Sequence, residues 1–187
     1  MSNILVVTGS ARKGRIADTI LEHVQSELKA HAKLNVTVAD LKEINLPFFD
    51  GEHVPMSPDF KPTNENVLAW TKLVDEADGV ILVMPEYNHS MTAIQKNALD
   101  WIYKEWNGKP LSIIGYGWSG ASLAHVTAKE VLSNLKTKTL PTSAHLHFMK
   151  QINTDGSIID EAGVSEAIKL TVDELVGELA AEPQLTV

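Results

Sequence analysis

A chain of 187 residues, 44% hydrophobic and 21% charged, has the composition of one globular domain spanning residues 1–187, with enough apolar material for a core. Its net charge of -8 argues against nucleic acid as a partner, since a phosphate backbone needs a basic surface, and the lack of cysteine removes disulfide frameworks and thiolate chemistry. No apolar run reaches the ~20 residues needed to cross a bilayer, and Met1 leads straight into a polar pair and a strand, so a cytoplasmic protein with no membrane partner is expected.

In chain order, Ile4 to Val7 is a continuous apolar run that predicts a strand buried on both faces. A turn of small residues with Gly9, Ser10 and Gly14 follows. Ile16, Ile20, Val24 and Leu28 then recur every four residues, predicting a helix that ends near Ala32. Arg12, Lys13 and Arg15 place three of the chain's sixteen Lys and Arg residues in four positions, beside a helix start whose free N–H groups and dipole favour an anion. This loop is read as a phosphate site. A second strand is predicted at Leu34 to Ala39. The segment from Asp40 to Pro62, with Pro47, Pro55, Pro58 and Pro62, is too proline-rich for regular structure.

Helix returns from about Thr63 to Ala77, with Val67, Trp70 and Val74 inward, and Gly79 to Met84 is a third apolar strand. It stops at Pro85-Glu86-Tyr87-Asn88-His89-Ser90, ahead of a helix through Ile94, Ala98, Trp101 and Ile102. A fourth strand, Leu111 to Tyr116, stops at Gly117-Trp118-Ser119-Gly120, and the next helix carries Ala124, Ala128, Val131, Leu132 and Leu135. A fifth strand falls between Thr139 and Phe148, interrupted by Pro141. Asn153 to Gly156 is a turn, and Ile168, Val172, Leu175, Val176 and Leu179 face inward on a last helix.

Five strands separated by helices predict an open parallel sheet with helices on both faces. In such sheets ligands bind at the carboxyl ends of the strands, where the strand order reverses. With order 2-1-3-4-5, the loops after the first, third and fourth strands meet over one crevice.

Together, G-S-A-R at Gly9 to Arg12, P-E-Y-N at Pro85 to Asn88, N-A-L-D-W at Asn97 to Trp101 and the glycines after the fourth strand resemble the NAD(P)H-dependent FMN reductases. That family includes quinone, azo-dye and chromate reductases. L-P-F-F-D at Leu46 to Asp50 is similar to its L-P-x-F/Y-D segment. The resemblance implies a flavodoxin-like three-layer α/β sandwich with a five-stranded parallel sheet. It implies hydride transfer from NADPH or NADH through bound FMN to a small-molecule electron acceptor: free flavin, quinone, azo compound or metal oxyanion. A homodimer or homotetramer is also implied, with Pro47 to Pro62 and the helix around Asn97 to Trp106 contributing to the contact.

Carried over by position, Ser10 and Arg12 would hold the FMN phosphate with help from Arg15 and the backbone of Ile16 and Ala17. Pro85, Glu86, Tyr87, Asn88 and Ser90 would border the isoalloxazine, and Gly117, Trp118, Ser119 and Gly120 would close its other side. Arg15 and Ala17 depart from relatives that carry a small hydroxyl residue and Asn or Ser there. The Met91-Thr92 pair stands where Pro-Gly often follows. No catalytic side chain is assigned, because flavin N5 is the reactive centre.

Rival readings are weaker. Gly117-Trp118-Ser119-Gly120 is one residue short of a G-x-S-x-G nucleophile elbow, and Glu130, the only acid followed by a suitably placed His145, sits inside the helix after it. The dinucleotide fingerprint G-x-G-x-x-G is absent from the first turn. A non-enzymatic flavodoxin-type electron carrier is the main alternative, although such carriers usually hold phosphate with a Ser/Thr-rich loop lacking arginine. His145 and His147 share a strand face but lack a third ligand, so no metal is expected. Trp70, Trp101 and Trp106 are read as core, and Trp118 as a residue able to touch ligand.

Overall fold

The opening strand β1 (Ser2–Thr8) is apolar on both sides from Ile4 to Val7 because it runs through the middle of a covered sheet. The computed structural model describes residues 1–181. In it β1 is flanked by β2 (Leu34–Asp40) and β3 (Gly79–Pro85), with β4 (Pro110–Gly117) beyond β3, all parallel. The order β2-β1-β3-β4-β5 is the one expected of a flavodoxin-like α/β fold.

The fifth position is divided. β5 (Lys138–Thr139) and β6 (Ala144–His147) both pair parallel to β4. Thr139 faces Leu111 and Ala144 faces Ile114, so residues 140–143 stand opposite only Ser112 and Ile113. Pro141 has no N–H for the ladder, and the surplus residues bulge out around it.

Alternation along the strands sends Ile4, Val6, Ile81, Val83 and Ile114 to one face, under α1 (Ala17–Lys29) and α6 (Glu161–Ala181). Leu5, Val7, Leu82, Met84, Leu111 and Ile113 face the opposite layer. That layer holds α2 (Leu41–Ile44), α3 (Glu65–Asp75), α4 (Ala93–Asp100) and α5 (Ser122–Asn134). Trp70, Trp101 and Trp106 are buried there, as their helical spacing suggested. Helix α1 stops three residues before Ala32. The His31 N–H turns back to the Leu28 carbonyl, and Lys33 takes a left-handed φ of 69° that swings the chain into β2.

The proline-rich segment contains one helical turn, α2, before its first proline, and is otherwise held by side chains of α4. Asn97 bonds both the Phe49 N–H (2.9 Å) and the Pro47 carbonyl (2.8 Å), and Trp101 Nε1 reaches the same carbonyl at 2.7 Å. Phe49 packs edge-on against Trp101, with ring centroids 5.0 Å apart. At about 1 kcal/mol net for each such bond, Asn97 and Trp101 tie down a loop with no ladder of its own.

Candidate active site

The turn after β1 is built around Gly9, whose N–H bonds the Val83 carbonyl at 3.2 Å. A Cβ on Gly9 would lie 1.9 Å from Gln95 Cδ, so only glycine fits between the strand ends and α4. Ser10 is 2% exposed, with its hydroxyl 3.3 Å from the Tyr87 phenol oxygen. Helix α1 starts with Ile16 at the N-cap position and no side-chain cap, so its first N–H groups and dipole remain available to an anion. Arg12 is exposed and has no carboxylate partner among the described residues.

Arg15 is already committed. Its guanidinium makes a bidentate pair with Asp40 (2.8 and 2.5 Å), bonds Asp18 from Nε at 2.8 Å, and bonds the Ser10 carbonyl at 3.1 Å. The bond to Asp40 raises the guanidinium pKa above its ordinary value, with Asp18 adding to it. Burial pushes the Asp40 carboxyl up, but Arg15 and the Lys42 N–H outweigh it and hold the group below the usual range. Arg15 thus braces the loop against the end of β2, and two carboxylates neutralise its charge. Arg12 remains the unpaired cation of the cleft.

Glu86 has a similar internal role. Its Oε1 accepts the Ser119 hydroxyl at 2.9 Å, and its Oε2 accepts the N–H groups of Leu123 and Ala124 at 3.0 Å each. Burial acts to raise this carboxyl, and the bonds from Ala124, Ser119 and Leu123 prevail and lower it. A carboxylate from the loop after β3 therefore caps α5, whose own N-cap residue, Ala121, has a left-handed φ of 60° and no capping side chain. The Ser119 proton points to Glu86, and the His145 ring bonds the Gly120 carbonyl at 2.9 Å, so no imidazole activates this serine. Gly120 has a φ of +62°, and a Cβ there would lie 2.7 Å from His147 Nε2.

Residues 87–90 form a tight turn in which Tyr87 and Ser90 exchange both backbone bonds (2.9 and 3.0 Å). Asn88 and His89 both take φ above zero there (49° and 64°), the pattern of a type I′ turn. The Glu86 N–H is bonded to the Tyr116 carbonyl. Among the described residues, the N–H groups left open in this loop are those of Asn88 and His89.

Three strand ends meet at a cleft of about 170 Å³. Of the residues expected there, Ser10, Arg12, Arg15, Ile16, Pro85, Glu86, Tyr87 and Trp118 line it. Ala17 is buried below. Asn88 lies at an exposed turn tip, and Ser90 faces Thr127 with the two hydroxyls 3.3 Å apart. Gly117, Ser119 and Gly120 shape the wall without lining it. The cleft also takes in Gly14, from the loop read as a phosphate site, and Tyr116, Phe148 and Thr154, which sequence reasoning missed. Tyr116 ends the apolar run of β4, and the strand-end rule applied to that last residue would have found it. Burial raises its phenol pKa. Phe148 and Thr154 follow the divided fifth strand and carried no comparable signal. Trp118, 71% exposed, stands edge-on to Phe148 at 5.7 Å between centroids.

A larger hollow, about 600 Å³, lies between the 47–64 segment and Trp101. Asp50, Glu52 and Asp59 line it against the single lysine Lys61, a charge balance that disfavours a phosphate. The 170 Å³ cleft suits FMN by its lining: an uncapped helix start, a buried serine hydroxyl and an arginine with no carboxylate partner among the described residues suit a phosphate, and the rings of Tyr87, Trp118 and Phe148 suit a flat ring.

The fold is that of a flavodoxin-like α/β protein, and the cleft at its strand ends has a lining that fits a phosphate-bearing aromatic cofactor. The family model of the NADPH-dependent FMN reductases matches residues 2–150, and the chain belongs to that family. It is accordingly an oxidoreductase that uses FMN with NAD(P)H as co-substrate. An NAD(P)H-dependent FMN reductase of Nectria sp is 32% identical over 98% of this chain and 100% of its own length. One from Schizosaccharomyces pombe is 35% identical over 85% of this chain and 79% of its own length. Among solved structures, the flavoenzyme NAD(P)H:(acceptor) oxidoreductase of Paracoccus denitrificans superimposes with a TM-score of 0.76 at 26% identity, covering 96% of this chain and 98% of that one.

Proposed function

We propose that the chain passes hydride from a nicotinamide nucleotide, through FMN in the cleft described above, to a small oxidised acceptor: a free flavin, a quinone, an azo compound or a metal oxyanion. The observation that carries this reading is the cleft's mixed lining, in which anion-binding groups at Ser10, Arg12 and the start of α1 stand beside the aromatic rings of Tyr87, Trp118 and Phe148. FMN, when bound, supplies the hydride chemistry. Arg12, the Ser10 hydroxyl and the N–H groups of the first turn of α1 hold the phosphate. Tyr87 and Trp118 flank the ring and exclude water from one side, while the exposed rim admits nucleotide and acceptor in turn. Arg15 and Glu86 act at one remove, by fixing the loops that carry these groups.

The purified protein is expected to show flavin absorbance, or to gain it on adding FMN, and to lose it when NADH or NADPH is added without oxygen. Material that is colourless and takes up no FMN would overturn the reading; bound flavin with no turnover by either nucleotide would point to an electron carrier.

The assembly is a homodimer or a dimer of dimers in this reading. Asn97 and Trp101 are turned inward to hold the proline-rich loop, while Phe48 (78% exposed), Val54 (61%) and Met56 (66%) face outward from it. Such apolar exposure on a fixed loop fits an interface with a second copy. Sedimentation velocity at micromolar concentration is expected to give at least a dimer, and a monomer would refute it.

A further inference from the structure

Helix α4 opens with two buried polar residues that reach back to the anion loop. Thr92, 4% exposed, caps α4 by accepting the Gln95 N–H at 3.3 Å, and its hydroxyl donates to the Gly9 carbonyl at 2.6 Å. Gln95, 3% exposed, lies in van der Waals reach of the Gly9 Cα and donates from Nε2 to the Val83 carbonyl at 3.2 Å. That same carbonyl accepts the Gly9 N–H. The N–H, carbonyl and Cα of Gly9 are thereby all held by the end of β3 and the start of α4.

Clamping this carbonyl has a consequence one atom further along the chain. A trans peptide is planar, with its carbonyl and the following N–H on opposite sides, and no cis bond occurs in the described residues. Anchoring the Gly9 carbonyl on Thr92 therefore turns the Ser10 N–H away from α4. Ser10 is 2% exposed, yet its N–H has no hydrogen-bond partner among the described residues. Buried backbone donors are nearly always satisfied, so this one awaits an acceptor.

We propose that Thr92 and Gln95 are positioning residues that hold the Ser10 N–H as a preset donor to the phosphate of FMN, a reading that rests on the FMN site proposed above. The two residues couple the start of α4, next to the loop bordering the ring, to the loop that holds the phosphate. The Gly9–Ser10 peptide is then set before the cofactor arrives, and less order has to be imposed on binding.

Riboflavin, which is FMN without its phosphate, isolates the effect. Apoprotein is titrated with FMN and with riboflavin by flavin fluorescence. Thr92→Val removes the hydroxyl at nearly constant shape and is expected to reduce the preference for FMN over riboflavin by roughly five- to tenfold, the size of one lost hydrogen bond. Riboflavin affinity should change less than about twofold, and Thr92→Ser should restore the preference. An unchanged preference in Thr92→Val overturns the proposal. In the unsubstituted protein the Ser10 amide resonance should shift downfield with FMN and stay put with riboflavin. Failure to shift also overturns it, and that measurement holds even if Thr92→Val does not fold. Binding of neither flavin would instead overturn the FMN reading, and the clamp's role with it.

Discussion

Arg12→Ala is expected to weaken FMN binding by roughly ten- to a hundredfold, the range expected for losing a charge-assisted hydrogen bond to a phosphate. The reason lies in how the other cation of the loop is used. Arg15 is held by Asp40, Asp18 and the Ser10 carbonyl, so among the described residues Arg12 is the guanidinium in the cleft with no carboxylate against it. Its removal leaves the phosphate with neutral donors alone. The loss should appear in equilibrium titrations of apoprotein with FMN and shrink as salt is added, since Arg12 is exposed and screened. Riboflavin affinity should hardly move. A variant that loses both flavins equally, or neither, would show that the phosphate lies elsewhere.

Acidification from pH 6.5 to 4 is expected to remove roughly 3 kcal/mol of stability through one residue, His125, whose pKa is pushed down to about 4. Burial is the main cause: the ring is 4% exposed beneath Gly115 and Ala121. Its Nδ1 is bonded to the Ala121 carbonyl at 2.8 Å, which opposes the effect. His145, with its ring centroid 4.0 Å away, and Lys129 add repulsion against a second proton. Nε2 is buried without a hydrogen-bond partner among the described residues, and the nearby Ile113 backbone offsets only part of the cost of a proton on the ring.

The sign follows from counting protons. Between pH 6.5 and about 4 the unfolded chain binds a proton at His125 and the folded chain does not, so stability falls as pH falls. His125→Asn keeps an N–H for the Ala121 carbonyl and removes the titration. Urea unfolding midpoints across this range should fall less steeply for the variant than for the natural chain, the remaining slope coming from carboxylates such as Glu86 and Asp40 whose pKa is lowered in the folded state. Equal slopes would place the acid sensitivity in other groups.

The strand runs, the helical faces and the three loops at the strand ends were legible in the sequence. Burial on both faces demands unbroken apolar residues such as Ile4 to Val7 and Gly79 to Met84, and helices demand the spacing seen from Ile16 to Leu28. Parallel pairing then leaves few strand orders, and the order found brings the first, third and fourth strand ends together. Ser10, Arg12, Tyr87 and Trp118 could be singled out because each lies in a loop whose place follows from that order.

What each side chain does there was settled only by the tertiary structure. Arg15 finds Asp40 twenty-five residues away because β1 and β2 end side by side in register, and the cation that sequence alone would give to a phosphate becomes a brace. Glu86 caps a helix that begins thirty-six residues later, and Asn97 holds a loop fifty residues earlier. Local pattern records which residues are apolar and how often they recur. It does not record which polar groups, remote in the chain, arrive within 3 Å of one another, since that depends on strand register and on the direction each side chain takes once the sheet has closed.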